Sequence, residues 1–98
     1  MSHVKHFILQ MSTENAAYLI DGYPIRSNIG CQYKFKFPNR YGASVIKQPY
    51  SYGYFWDLWE LAILKNDTLC YNTPIAFDVI GYLSDEAVND FLNRIRSL

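Results

Sequence analysis

Short runs of alternating apolar and polar residues, separated by turn residues, recur along the chain and predict β-strands. The clearest run is residues 33–37 (YKFKF), in which the aromatic rings point to one side and the lysines to the other. A Pro-Asn-Arg turn ends this strand, and residues 42–48 (GASVIKQ) are predicted to return beside it as a hairpin. Residues 58–65 (LWELAILK) are largely apolar on both faces. This pattern predicts a central strand covered by a helix on one side and an aromatic loop on the other.

Two further segments have strand character. Residues 4–11 (VKHFILQM) alternate and are rich in β-branched and aromatic side chains, which predicts a first strand. Residues 68–72 (TLCYN) follow an Asn-Asp turn and are predicted to pair back onto residues 58–65. Residues 75–83 are predicted to run extended or looped towards a helix, with a bend at Gly81.

Residues 12–30 carry mixed signals. We predict a short helix over residues 15–20, ended by Gly22, or an irregular turn, and the alternative is a strand over residues 18–21 that turns at Asp21-Gly22. Residues 23–30 contain breakers and no period, so they are predicted to form a surface connection.

The firmest local prediction is a helix that follows Ser84. Ser84 is a good N-cap, and Asp85 and Glu86 complement the positive end of a helix. Apolar residues then repeat at helical spacing and form one stripe, which is predicted to pack on the sheet. The stripe consists of Val88, Phe91, Leu92, Ile95 and Leu98.

These elements predict a single α+β domain over all 98 residues. Its architecture is expected to be a mainly antiparallel sheet of about four to five strands, with the C-terminal amphipathic helix packed on one face.

The composition predicts that some aromatic side chains lie at the surface, and the charge is unevenly distributed along the chain. Aromatic residues make up 17% of the chain, including nine tyrosines, which is more than a core of this size needs. Residues 1–49 carry six cations against two acids, whereas residues 50–98 carry three against seven. This asymmetry can mark a basic face, but strands from the two halves can interleave and cancel it.

The cysteines, the hydropathy and the histidines indicate which disulfide, membrane and metal features to expect. Cys31 and Cys70 lie in unrelated contexts, so we interpret both as reduced thiols, with a single disulfide as the less favoured alternative. No run approaches the ~18 apolar residues of a membrane span, and no signal peptide is expected. His3 and His6 lie on a predicted strand without further ligands, so no metal and no cofactor are expected.

Catalytic signatures are weak. Asp57 and Glu60 are the one close acidic pair beside the aromatic region, but residues three apart on a strand point to opposite faces. Glu60 sits among apolar neighbours, and we favour a pairing with Lys34, Lys36 or Lys47 over burial at an interface. No serine lies in a GxSxG motif, and the glycines are isolated. We therefore expect a protein that is not an enzyme.

Two binding surfaces remain. Tyr and Trp are the usual anchors of protein interfaces, which favours a partner-binding loop, and the competing interpretation places these rings in the core or at the sheet edge. The predicted partner-binding residues are Tyr50, Tyr52, Tyr54, Phe55, Trp56 and Trp59. The alternative is a nucleic-acid-binding face built from Lys34, Lys36, Arg40 and Lys47. A homodimer through the aromatic edge is compatible with either function.

Several segments together resemble a family of small uncharacterised proteins encoded by bacteriophages and prophages. The resemblance rests on the segments TENAAY, YGASVI, SYG, LWELAIL, LCYNTPI and DVIGYLS, and it covers roughly residues 13–98. Two positions depart from the family pattern, because Asn72 stands where Asp is usual and Arg40 where Gly is usual.

The resemblance implies a site of action in the cytoplasm of an infected bacterium. It also implies a function by binding, in which the protein inhibits a host or immune-defence protein, as anti-CRISPR and other anti-defence proteins do. None of the shared segments carries a known chemical role.

Overall fold

The computed structural model describes residues 5–26 and 30–98, which form an antiparallel sheet packed against one longer helix. The strands are β1 (Leu19–Arg26), β2 (Gly30–Lys36), β3 (Tyr41–Lys47), β4 (Trp59–Lys65), β5 (Thr68–Leu69) and β6 (Ile80–Leu83). The helices are α1 (Thr13–Ala16) and α2 (Asp85–Arg96), and Tyr54–Trp56 form a 3-10 turn. The predicted α+β class, with an antiparallel sheet and a C-terminal helix, is confirmed, and the described sheet has six strands.

The strands follow the chain in the order β1-β2-β3-β4-β5, and β6 also pairs with β4. β3 lies along the whole of one edge of β4, while β5 and β6 share the other edge. β4 therefore has neighbouring strands at both edges and is an interior strand of the sheet.

The hairpin between β2 and β3 is confirmed, with Tyr33 opposite Val45 and Lys36 opposite Gly42. Asn39 holds the turn, because its Oδ1 accepts a hydrogen bond from the Tyr41 N–H at 3.0 Å. Arg40 has a φ of 73°, a left-handed conformation for which glycine is the usual residue.

The core lies between α2 and the inward face of β2, β3 and β4. Alternate side chains of the three strands point towards the helix, as the sequence pattern predicts. Tyr33 and Trp59 pack edge to face there, with ring centroids 5.6 Å apart. The buried core residues of these strands are Cys31, Tyr33, Phe35, Ala43, Val45, Trp59, Leu61 and Ile63.

The helix α2 begins as predicted and ends at Arg96, before the last residue of the predicted stripe. Ser84 caps it by accepting a hydrogen bond from the Ala87 N–H at 3.1 Å. Val88, Leu92 and Ile95 are fully buried against the sheet, whereas Leu98 is exposed beyond the end of the helix. The apolar stripe is thus confirmed along the body of the helix.

The first strand predicted from the sequence is absent, since residues 5–12 form neither helix nor strand, and residue 4 lies outside the described residues. Residues 5–12, called here the N-terminal segment, still bury Leu9 and expose Ile8. Their main-chain groups bond to side chains instead of a neighbouring strand. The Tyr33 hydroxyl, for example, accepts from the Leu9 N–H at 3.2 Å and donates to the Phe7 carbonyl at 2.8 Å.

The helix α2 fixes the other half of the N-terminal segment. Asp85 Oδ2 accepts from the Gln10 N–H at 3.0 Å, and Asn89 Oδ1 accepts from the Ser12 N–H at 2.9 Å. Asn89 also donates to the Gln10 carbonyl at 2.7 Å. The alternation in residues 4–11 therefore reflects one buried face, without the strand pairing that usually accompanies it.

Residues 13–26 combine features of both sequence interpretations. The helix α1 begins at Thr13, capped by Ser12, and ends before residues 18–20, which the prediction had included. The alternative strand is present, but β1 continues through Asp21-Gly22, where we expected a turn, and through residues 23–26, where we expected a surface connection. Register shifts beside Asp21 and Pro24 accommodate the breakers, as is common on edge strands. Residues 27–29 of the expected connection lie outside the described residues.

The segment after β4 pairs with β4 over different residues from those predicted. β5 covers Thr68–Leu69 rather than residues 68–72, while β6, within the segment expected to be extended, pairs with β4. The Asn66-Asp67 turn is confirmed, and both of its residues adopt left-handed conformations.

Candidate functional site

Exposed aromatic side chains cluster where the connection between β3 and β4 meets β6. Phe55 and Trp56 are 80% and 70% exposed, and Tyr50 is almost fully exposed. Trp56 lies edge to face with Tyr82 of β6, with ring centroids 6.4 Å apart. We define the aromatic surface as Tyr50, Tyr52, Phe55, Trp56 and Tyr82.

Main-chain hydrogen bonds hold this loop in place. The Trp56 N–H donates to the Gly53 carbonyl at 3.0 Å, which closes the 3-10 turn, and the Leu58 N–H donates to the same carbonyl at 3.0 Å. The Tyr52 N–H donates to Glu60 Oε1 at 2.8 Å, and the Tyr52 carbonyl accepts from the Tyr82 N–H at 3.2 Å. The exposed rings therefore project from a backbone that is bonded to both β4 and β6.

Backbone strain is also present in this region. Tyr50, Asp57 and Tyr82 have φ values of 74°, 59° and 58°, in the left-handed region that non-glycine residues rarely occupy. Such conformations cost about 1–3 kcal/mol each and are found disproportionately at functional sites.

The structure separates the residues predicted to bind a partner. Tyr50, Tyr52, Phe55 and Trp56 are exposed, and Tyr54 is half-buried with the Lys5 ammonium 4.5 Å from its ring centroid. Trp59 is fully buried in the core, so its side chain is removed from the proposed surface. The alternation that places Trp59 with the inward residues of β4 already favours this position.

Tyr82 was missed by the sequence analysis. It follows Gly81 in a segment that was predicted only to be extended, and its left-handed backbone interrupts the alternation that would have assigned it a face.

Lys47 is also removed from its predicted site. The side chain is 1% exposed, with its ammonium 4.2 Å from the Trp59 ring centroid and 2.8 Å from Asp57 Oδ1. Burial alone would raise the pKa of Asp57. The hydrogen bonds from Lys47 and from the His6 N–H, with the Lys47 charge, outweigh burial and hold the pKa of Asp57 below its usual value.

The other predicted nucleic-acid residues lie at the opposite end of the sheet from the aromatic surface. Lys34 is 3.4 Å from Asp67, and Lys36 and Arg40 are exposed. The structure therefore does not bring these cations together with Lys47 or with the exposed rings.

Neither predicted carboxylate has the surroundings of a catalytic acid. Asp57 is paired with Lys47, and Glu60 bonds to the Tyr52 N–H rather than to the lysines we expected. Glu60 thus positions the aromatic loop.

A groove of about 430 Å³ runs beside the N-terminal segment. The side chain of Asp85 faces it, but Asp85 Oδ1 accepts from Trp59 Nε1 at 2.6 Å and Oδ2 accepts from the Gln10 N–H. These bonds give Asp85 a structural role. The groove is lined by Lys5, His6, Phe7, Ile8, Gln10 and Asp85.

Other site types can be described for residues 5–26 and 30–98. Within these ranges no group of three or more His, Cys, Asp or Glu side chains could hold a metal ion. No helix in the same ranges is long and apolar enough to cross a membrane. Cys31 and Cys70 are both free thiols, and burial raises the pKa of Cys31 to about 11.

Comparison with known proteins gives no relative. No family model matches the chain, and no curated protein or solved structure matches it significantly. The fold and the aromatic surface are therefore the basis for a function.

Proposed function

We propose that this protein acts by binding another protein through the aromatic surface. The observation that carries the proposal is the exposure of Phe55 and Trp56, 80% and 70%, on a loop that is hydrogen-bonded to two strands. A monomeric protein rarely exposes a cluster of large apolar side chains without a binding role.

The chemistry of the surface suits a protein partner. Tyr and Trp present large contact areas with few rotatable bonds, and they are enriched among the residues that dominate binding energy. The loop is already bonded in place, so little conformational entropy would be lost on association. The strained backbone at Tyr50 and Tyr82 fits a conformation kept for binding rather than for stability.

The class of partner that we propose follows from the resemblance of the sequence to phage-encoded proteins. We propose a bacterial host or immune-defence protein, which binding would inhibit in the cytoplasm of the infected cell. In this proposal the protein is not an enzyme, uses no cofactor and inhibits its target by covering part of the target's surface.

The test is an affinity capture from bacterial lysate with the tagged protein, with and without nuclease, read by mass spectrometry. We expect one bacterial protein at near-stoichiometric amount that survives nuclease. A variant carrying Phe55→Ala and Trp56→Ala should lose this protein while it keeps its circular dichroism spectrum.

Ile20→Ala is the matched control, because Ile20 is an exposed apolar residue on β1, at the other edge of the sheet. It should capture the partner as the unmodified protein does. Equal capture by the double variant, or no captured protein at all, would contradict the proposal.

Nucleic-acid binding is the second candidate, and the specific observation in its favour is a cluster of cations at the other end of the sheet. Lys36, Arg40 and Lys65 are exposed around neighbouring turns. Phosphate contacts by these residues would give an affinity that falls steeply with salt. Capture that disappears on nuclease treatment, and that Lys36→Ala with Arg40→Ala also abolishes, would support this candidate over the first.

A further inference from the structure

We propose that the aromatic surface receives a cationic, arginine-bearing segment of its protein partner. This inference rests on the proposed function and names the chemistry of the partner. Three observations support it: the arrangement of the rings, the charges around them, and the placement of Lys and Arg side chains over other aromatic rings of the chain.

The rings form a corner that is open to solvent. The planes of Trp56 and Tyr82 meet at 70°, and both side chains are more than half exposed. Tyr52 lies beside them, since its carbonyl accepts from the Tyr82 N–H. Two ring faces at a steep angle can contact a planar guanidinium by stacking and by cation–π attraction.

The charges at this end of the sheet favour a cation. Glu60 lies directly under the loop, where its Oε1 accepts from the Tyr52 N–H at 2.8 Å. The Lys47 cation is neutralised by Asp57 and buried, and the Lys5 ammonium lies over the Tyr54 ring rather than over Trp56 or Tyr82. A phosphate or an acidic peptide would therefore meet the unfavourable charge of Glu60 here.

The exposed cations lie mainly at the opposite end. The hairpin register places Lys36 and Lys65 at the far ends of β2 and β4, next to the turn that contains Arg40. Asn39 in that turn donates to the carbonyl of Arg96, which brings the basic end of α2 to the same place. Cations from both halves of the sequence thus gather at this end of the sheet.

Elsewhere in the chain, cations cover aromatic rings repeatedly. Lys and Arg groups lie within 6 Å of five ring centroids, those of Tyr18, Tyr41, Tyr54, Trp59 and Phe91. Among the described residues, no cation lies over Trp56 or Tyr82. These two rings are left for a cation supplied by the partner.

The test uses a blocked ten-residue peptide of alternating Gly and Arg, compared with the same peptide in which citrulline replaces Arg. Citrulline keeps the planar shape and removes the charge. By calorimetry we expect the arginine peptide to bind at least ~10-fold more tightly, as a cation–π contact would give. Trp56→Ala should weaken the arginine peptide by about tenfold, and Ile20→Ala should leave it unchanged.

Glu60→Gln separates charge from structure, because the amide oxygen of Gln can still accept from the Tyr52 N–H. It should weaken the arginine peptide and flatten its salt dependence. Equal binding of the citrulline peptide, or full binding by Trp56→Ala, would overturn the inference. So would a dimer in sedimentation that Trp56→Ala dissociates, because a second copy would then occupy the surface.

The two proposals fail in different ways. A protein captured from lysate by the aromatic surface, together with no preference for the arginine peptide, would leave the proposed function standing and overturn the cationic partner. Failure of both experiments would remove the proposed function as well.

Discussion

Lys47 and Asp57 form an ion pair of 2.8 Å, and the Lys47 ammonium lies 4.2 Å from the Trp59 ring centroid. Asp57 also accepts from the His6 N–H at 2.8 Å. One carboxylate therefore joins the end of β3, the aromatic loop and the N-terminal segment. Because Lys47 is almost completely buried, the pair should matter more to stability than a surface salt bridge does.

Removal of the carboxylate should be the most damaging change to this pair. Asp57→Ala leaves the buried Lys47 cation without its ionic partner, and we expect it to lower the free energy of unfolding by about 3 kcal/mol. Lys47→Met keeps most of the apolar stem and leaves Asp57, which water partly reaches, so it should cost less. Urea unfolding followed by circular dichroism measures both.

The double variant Lys47→Met with Asp57→Ala tests the same pair. It should be more stable than Asp57→Ala alone, since no buried charge remains unpaired. A double variant that loses the sum of the two single effects would contradict the coupling.

The stability of the protein should fall at acid pH through Asp57. Its pKa is lower in the folded protein than the usual 3.8, so the pair contributes its full stability above that value. The contribution is lost as the pH decreases below about 4 towards the folded pKa. We expect the free energy of unfolding to fall between pH 5 and pH 2 (about the range set by linkage), and Asp57→Asn should show a shallower fall. Equal slopes for the two proteins would exclude Asp57 as a cause.

Backbone strain at Tyr50 predicts an unusual ranking of substitutions. Its φ of 74° suits glycine, while its ring is exposed and contributes little packing. Tyr50→Gly should therefore be more stable than Tyr50→Ala by about 1 kcal/mol. The two variants lack the same ring, so thermal unfolding compares the backbone alone. An alanine variant as stable as the glycine variant would contradict the left-handed conformation.

The two cysteines should differ in reactivity. Burial raises the pKa of Cys31 to about 11, and its thiol donates to the Phe7 carbonyl at 3.4 Å. Cys70 is half-exposed. At pH 8 (roughly the pKa of an ordinary thiol), iodoacetamide should modify Cys70 and spare Cys31, because the thiolate is the reactive form.

Mass spectrometry of the digested protein reads out this difference. Both thiols should react in urea, which is the control for accessibility. Modification of the two at equal rates in the folded protein would show that Cys31 is not protected.

Local sequence signals predicted the β2–β3 hairpin and α2 because their determinants lie within a few residues. Alternation, the turn at Asn39 and the Ser84 cap are each readable without tertiary information. The N-terminal segment was mispredicted for the opposite reason. The side chains that bond its main chain, such as Tyr33 and Asn89, are separated from it by 24 to 79 residues.

The site was predictable to a similar degree. The exposed loop could be found because its aromatic content exceeds what a core needs. The burial of Lys47 could not be predicted from the sequence, because it depends on tertiary contacts of its ammonium with Asp57 and Trp59. The role of Glu60 likewise depends on a main-chain donor, Tyr52, whose direction the sequence does not show.

The hydrogen bonds that hold the N-terminal segment have a consequence for folding during synthesis. Among the described residues, the side chains that hold this segment, from Cys31 to Asn89, all follow it in the chain. A ribosome therefore releases residues 5–12 long before Asp85 and Asn89 of α2 emerge. Hydrogen exchange on chains ended before Asp85 should show the amides of Gln10 and Ser12 unprotected, although β2, β3 and β4 are complete. The half of the segment that α2 holds is thus synthesised well before the helix and reaches its final contacts late.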